Sequence, residues 1–294
     1  MEVNVKKSEV VVFNSNFLDD NIQHKWQFQG KDLPTKDEFV YLGILFKKDH
    51  GRKGGTHGAC DSQYTTALKA SHALWRRSNE LGIVNASTLS HLYGSLVQPI
   101  LNYGCEIWAP DRLGNIAPNG IDGQCETIQN RFMKRALGVK DSTSTKLILH
   151  ELNKSPTWTQ WLRQCIGFWN KIVIRKDDDI VKTALMENIL MAINDNNNHC
   201  WTHGLLRCLK RLGVIDEFSD VLQIDRITPE KIDLESVNQG ISNIIDIDWS
   251  LLATKDPRSL DDSQGAGIKC ISYANWMRSD EDNSTIVALY ILKL

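Results

Sequence analysis

Leu92-Tyr93-Gly94-Ser95-Leu96-Val97-Gln98-Pro99-Ile100-Leu101-Asn102-Tyr103-Gly104-Cys105-Glu106-Ile107-Trp108 is the stretch on which the fold turns. Just upstream, Asn85-Ala86-Ser87 predicts a helix start, because a short polar side chain can accept from an unpaired amide of the first turn. Leu89, Leu92, Tyr93, Leu96 and Val97 then recur on one helical face. Pro99 interrupts, since it has no amide to donate. Ile100, Leu101, Tyr103, Ile107 and Trp108 continue an almost wholly apolar run, which predicts a buried helix.

Helices are predicted on both sides. Ala67, Ala70, Leu74 and Leu81, with Trp75, give a helix from Ala59 to a cap at Gly82. Ile121, Cys125, Ile128 and Phe132 give an amphipathic helix over 122–137, closed by Gly138. A short helix covers 145–152. Trp158, Trp161, Cys165, Phe168, Trp169 and Ile172 share one face over 156–174. Asp177-Asp178-Asp179 suits the start of a helix over 180–193, where the dipole favours negative charge. Residues 194–198 read as a turn and 200–212 as helix. Beyond Gly213 the period decays, which predicts loosely packed helices or partial disorder.

The first part of the chain reads as sheet. Lys7–Phe13 is rich in valine, Trp26–Gly30 alternates and ends at Lys31-Asp32-Leu33-Pro34, and Phe39–Phe46 forms a third run. The expected fold class is α+β, mainly α: a small three-stranded antiparallel sheet, a helical bundle, then a looser helical extension. Three strands alone are marginal and need helices or a partner to cover them.

The chain has 294 residues and a formal charge of −2, which excludes a uniformly basic, histone-like protein. The charge is uneven: +1 over 1–58 (9 basic, 8 acidic), +6 over 59–176 (14 and 8) and −9 over 177–294 (11 and 20). The middle third suits a polyanion. No stretch reaches the ~20 apolar residues needed to span a bilayer, so no membrane partner is expected. Seven irregularly spaced cysteines fit reduced thiols in a nuclear or cytoplasmic setting.

Several patterns invite chemistry and yield to plainer readings. The glycine-rich loop at 50–58 lacks the Gly-Lys-Ser/Thr of a phosphate-binding loop and reads as a hinge. Asp19-Asp20 resembles a metal-binding carboxylate pair, but asparagine and aspartate are the default residues of turns. His199, Cys200, His203 and Cys208 offer four zinc donors at a spacing that fits no common finger; an amphipathic helix is preferred. The tryptophans at 158, 161 and 169 have helical spacing, which favours core packing over base stacking. The basic groups carry more. Arg131, Lys134 and Arg135 project from one side of one helix, and Lys47, Lys48, Arg52, Lys53, Arg76 and Arg77 add local positive charge. Such groups suit phosphate oxygens and bind without sequence preference.

A resemblance enters at these residues. Lys7-Ser8-Glu9-Val10-Val11-Val12-Phe13 resembles the last palm strand of non-LTR (LINE-type) retrotransposon reverse transcriptases. Phe39-Val40-Tyr41-Leu42-Gly43-Ile44 is similar to their Tyr-Leu-Gly segment at the primer grip. Leu92–Trp108 resembles the thumb pattern Leu-Tyr-x-x-Leu-Val-x-Pro-x-Leu-x-Tyr-Gly-x-Glu-x-Trp. Ile128-Gln129-Asn130-Arg131-Phe132 with Leu137-Gly138, then Glu151-Leu152 with Pro156, are similar to the helices that follow. The likeness runs from about Lys6 to Arg175.

The resemblance implies three units: 1–57 as a palm remnant with a primer-grip-like hairpin, 58–176 as a thumb-like domain, and 177–294 as an acidic extension. It implies Tyr41, Leu42 and Gly43 near a primer end, and an RNA–DNA hybrid or template–primer duplex as partner. The family's Phe/Tyr-x-Asp-Asp motif precedes its Lys-Ser-x-Val strand by tens of residues, and here Lys6 has five residues before it. No catalytic residue is therefore carried over and no cofactor is expected in this chain; Mg²⁺ would serve only the complete polymerase. The expectation is a truncated element, inactive alone, that binds nucleic acid and pairs with a missing N-terminal half. The alternative is a helical protein-interaction module with no nucleic-acid role.

Overall fold

The computed structural model describes residues 8–11, 25–48, 57–114, 123–194, 200–222 and 229–245. Asp19-Asp20, Arg52, Lys53, His199 and the chain after 245 lie outside the described residues, as do Lys7, Val12 and Phe13 of the first expected strand.

The expected three-stranded sheet is corrected to two separate hairpins. Gln27–Phe28 (β1) pairs antiparallel with Lys31–Asp32 (β2), and Glu38–Tyr41 (β3) pairs with Ile44–Lys47 (β4). The run Phe39–Phe46, expected as one strand, folds back on itself at Leu42-Gly43. Both residues have positive φ, +48° and +79°, as do Gln29 and Gly30 at the other tip. Two central residues with positive φ make the turn whose twist matches its flanking strands, and a glycine takes the second position in each. Val10 forms only a parallel bridge with Thr35.

The rest of the described chain is mainly helical. The 24-residue helix α1 (His57–Glu80) is followed by α2 (Ala86–Leu96), whose predicted cap is present: Thr88 N donates to Asn85 Oδ1 at 3.0 Å. The apolar run is not one helix. Pro99 sits in the first turn of the short α3 (Gln98–Asn102), and Gly104, with φ +65°, breaks the chain before α4 (Cys105–Leu113). A side chain at Gly104 would meet Ile44 Cδ1 at 2.6 Å, so this corner is where β4 docks. Next come α5 (Gln124–Ala136), α6 (Thr145–Glu151), α7 (Thr157–Val173), α8 (Ile180–Asn194), α9 (Trp201–Arg211) and α10 (Leu234–Ile245).

One apolar core runs through α1 to α10, with Trp108, Trp158, Trp161, Trp169 and Tyr93 buried in it. The helix after Gly213 is not loose. Val237 and Ile241 of α10 are buried, and Trp169 Nε1 and Asn170 Nδ2 of α7 donate to the carbonyls of Glu230 and Ile232 just before it.

The tightest crossing is between α4 and α9. Pro110 lies inside α4 and cannot donate to the carbonyl of Glu106. Trp201 Nε1 of α9 supplies that bond at 2.8 Å. Gly204 lets the helices close, since a Cβ there would lie 2.2 Å from the Pro110 carbonyl oxygen. Gly204→Ala is therefore expected to destabilise the protein by about 1–3 kcal/mol, the usual range for forced overpacking. Urea unfolding measures it, and an unchanged midpoint would show that the crossing is not tight.

Candidate nucleic-acid interface

Helix α5 has two faces with different tasks. Its inner face carries Cys125, Ile128, Phe132 and Met133 into the core, together with two polar groups, Glu126 and Gln129. These two serve α7. A helix start leaves amides without internal partners, and Pro156, at the cap of α7, offers no side-chain acceptor. Glu126 accepts from Trp158 N at 2.7 Å and Thr157 N at 3.3 Å; Gln129 Oε1 accepts from Thr157 N at 3.0 Å and Thr157 Oγ1 at 2.9 Å. Burial pushes the Glu126 carboxyl up to about 7, against the opposing pull of the two amides.

The outer face of α5 then looks onto α1. Between them lies a partly open groove of about 500 Å³. Arg131, Arg135 and Lys140 line it with His72 and Trp75 of α1. The Arg135 guanidinium sits 4.1 Å from the centre of the Trp75 ring, a cation–π contact. Phe132 meets the same indole edge-on at 5.8 Å. Arg131 and Arg135 are exposed.

Of the described basic residues named from sequence, the structure brings Arg131 and Arg135 together in the groove and leaves the others out of it. Lys134 turns away to donate to the Asp141 carbonyl. Arg77 pairs with Glu80 at 2.9 Å, and Arg76 lies beside it on α1 outside the groove. Lys47 is 3.6 Å from Glu38, and its stem covers Gly58. Lys48 follows β4, its amide bonded to Asp37 O. His72, Trp75 and Lys140 were not singled out for binding, because only the tertiary fold sets α1 opposite α5.

Tyr41, Leu42 and Gly43 form the tip of the β3–β4 hairpin, with Tyr41 and Leu42 59% and 71% exposed. The tip is held from below. Tyr103 Oη donates to Leu42 O at 2.7 Å, and Gln63 Nε2 donates to Gly43 O at 3.4 Å. Leu42 thus keeps a backbone conformation rare for a branched residue.

The remaining candidates have structural work. Trp158, Trp161 and Trp169 are buried, and Trp161 Nε1 donates to Asn102 Oδ1. Cys200 Sγ accepts from His203 N at the start of α9, His203 packs on Phe218, and Cys208 is buried. Among the described residues, no three His, Cys, Asp or Glu gather as a metal site, and no helix is long and apolar enough to cross a membrane.

No family model, curated protein or solved structure matches the chain.

The Glu126 site sets a pH dependence. Its folded pKa, about 7, lies above the ordinary 4.5, so the folded state holds the proton more tightly. The stability this contributes is full below pH 4.5 and is lost as pH rises through 7, in total about 3 kcal/mol. Glu126→Gln should flatten that slope between pH 4.5 and 7.5. Parallel stability curves for the two proteins would refute the assignment.

Proposed function

We propose that the chain is the C-terminal palm and thumb portion of a non-LTR-type RNA-directed DNA polymerase, and that it grips a template–primer duplex without polymerising alone. The observation that carries this reading is the α1–α5 groove, which pairs Arg131, Arg135 and Lys140 with an indole. The arginines supply charge that phosphate oxygens accept from either strand, independent of base sequence. Arg135, held over the Trp75 ring, can still offer its N–H groups to a bidentate phosphate contact. The order of the motifs from Val10 to Arg175 supports the same reading, as does the net charge of +6 over 59–176. Tyr41, Leu42 and Gly43 would meet the primer end. Mg²⁺ chemistry would belong to the complete polymerase, because none of the matched motifs supplies the carboxylates.

A second reading, protein docking without nucleic acid, rests on the apolar hairpin tip. Val40, Tyr41 and Leu42 are exposed beside Tyr103.

Retention of a labelled RNA–DNA hybrid on nitrocellulose across a salt series separates the two. Binding should be sequence-indifferent and weaken steeply with salt. The double variant Arg131→Ala/Arg135→Ala should lower affinity at least tenfold and reduce the log–log salt slope by about 2, roughly one unit per lost phosphate contact. Lys171→Ala, on exposed α7 surface outside the groove, should change neither binding nor slope beyond the general loss of one charge. Absence of retention at low salt would leave the docking reading, for which nuclease-resistant pull-down is the positive result.

A further inference from the structure

At one end of the α1–α5 seam two thiols face each other. Cys60, in the first turn of α1, and Cys125, in the first turn of α5, place their sulfurs 3.8 Å apart, 65 residues distant in sequence. Their surroundings differ. Cys125 is 2% exposed, whereas Cys60 is 8% exposed and adjoins Asp61, whose carboxylate pairs with Arg112 at 3.8 Å. The two sulfurs need to close by less than 2 Å to reach bonding distance, about 2.05 Å.

We propose that Cys60 and Cys125 are a peroxide-oxidisable dithiol, in which Cys60 is the attacking sulfur and Cys125 the resolving one. The sulfur–sulfur contact with Cys125, and then the Arg112 guanidinium, hold the Cys60 thiol below its ordinary range against the opposing effect of burial, while Cys125 is pushed up by the same contact and by burial. The amides of the first turn of α1 add a favourable dipole for a Cys60 thiolate. The other buried thiols lack such a setting. Burial raises Cys105, Cys165 and Cys208, and the first two donate to Gln164 Oε1 and the Cys105 carbonyl.

The chemistry closes with hydrogen peroxide as oxidant. The Cys60 thiolate attacks one peroxide oxygen; the S–O bond forms, the O–O bond breaks, and hydroxide leaves to take up the proton that Cys60 released. Cys125 sulfur then attacks the Cys60 sulfenic sulfur; the S–S bond forms and hydroxide departs with the Cys125 proton as water. Two thiols lose two electrons, and one peroxide becomes two waters. The product clamps the first turns of α1 and α5 together, a turn away from the groove that begins at Tyr64 and Thr127.

The test treats the purified full chain with equimolar hydrogen peroxide, alkylates the remaining thiols and maps tryptic peptides without reduction. Cys60 and Cys125 fall alone in peptides 54–69 and 113–131, so their pairing is unambiguous. The expected result is a cross-link of these two peptides, abolished by dithiothreitol, with a melting temperature several degrees higher in the oxidised protein. In Cys125→Ser, Cys60 should stop at a sulfenic acid trapped by dimedone; in Cys60→Ser, Cys125 should stay reduced. Full alkylation of both thiols after peroxide, a cross-link to any other cysteine, or Cys60 sulfinic acid without the cross-link would overturn the proposal. None of these readouts depends on nucleic-acid binding.

Discussion

The carboxylate of Glu126, buried at the N-terminus of α7, fixes what α5 presents to solvent. A charged or half-charged group inside an apolar core is tolerated only when donors meet it, and here the donors are backbone amides that have no other partner. Each side supplies what the other lacks. Because the bonds to Thr157 and Trp158 come from positions 126 and 129 of α5, they set its rotation as well as its depth. Positions 131 and 135 then point away from α7 and towards α1. Shifting α5 by one residue would bury an arginine and expose a phenylalanine, so the basic wall of the groove is a consequence of the polar contact on the opposite side.

A second constraint joins the chemically distinct thirds of the chain. The acidic region begins at Asp177, yet α9 lies against α4 more closely than most helix pairs permit. Pro110 leaves the Glu106 carbonyl without its helical donor, and the Trp201 indole fills that role while stacking parallel to Trp169 at 6.4 Å. Gly204 and Gly114 both lack the side chain that would keep the backbones apart. The boundary in charge near 176 is therefore not a boundary in packing. Among the described residues, the basic region and the start of the acidic one share one core.

The helices were legible because each announces itself locally. Asn85 at a cap, glycines 82 and 138 after the last turn, and the tryptophan stripe of α7 all state the period and the ends in one stretch of chain. The sheet was less legible, since alternation in Phe39–Phe46 is compatible with one long strand or with two short ones. The positive φ at Leu42 and Gly43 decides, and of the two only glycine hints at it. At the candidate site one wall could be read from the i, i+3, i+4 spacing of Arg131, Lys134 and Arg135. That spacing did not reveal that Lys134 leaves the set to donate to the Asp141 carbonyl in the loop after its helix, nor that His72, Trp75 and Lys140 complete the groove. The second fact depends on contacts between residues about 60 apart, such as Trp75 and Arg135, which no local pattern encodes.

The groove also explains why Trp75 is placed where a smaller apolar residue would satisfy the core. Its indole packs edge-on against Phe132 on one side and receives the Arg135 guanidinium on its face on the other. A cation over an aromatic face gains about 0.5–2 kcal/mol, less when solvated. That is enough to orient a long side chain and too little to hold it against a phosphate, whose charge-assisted pair with arginine is stronger. Trp75 therefore reduces the rotamer freedom that Arg135 would otherwise lose on binding an anion, and still releases the guanidinium edge to one. An isolated surface arginine loses that entropy in full, so under the proposed reading Arg135, ordered over Trp75, would meet an anion at a smaller entropic cost than the lysines of the β3–β4 hairpin.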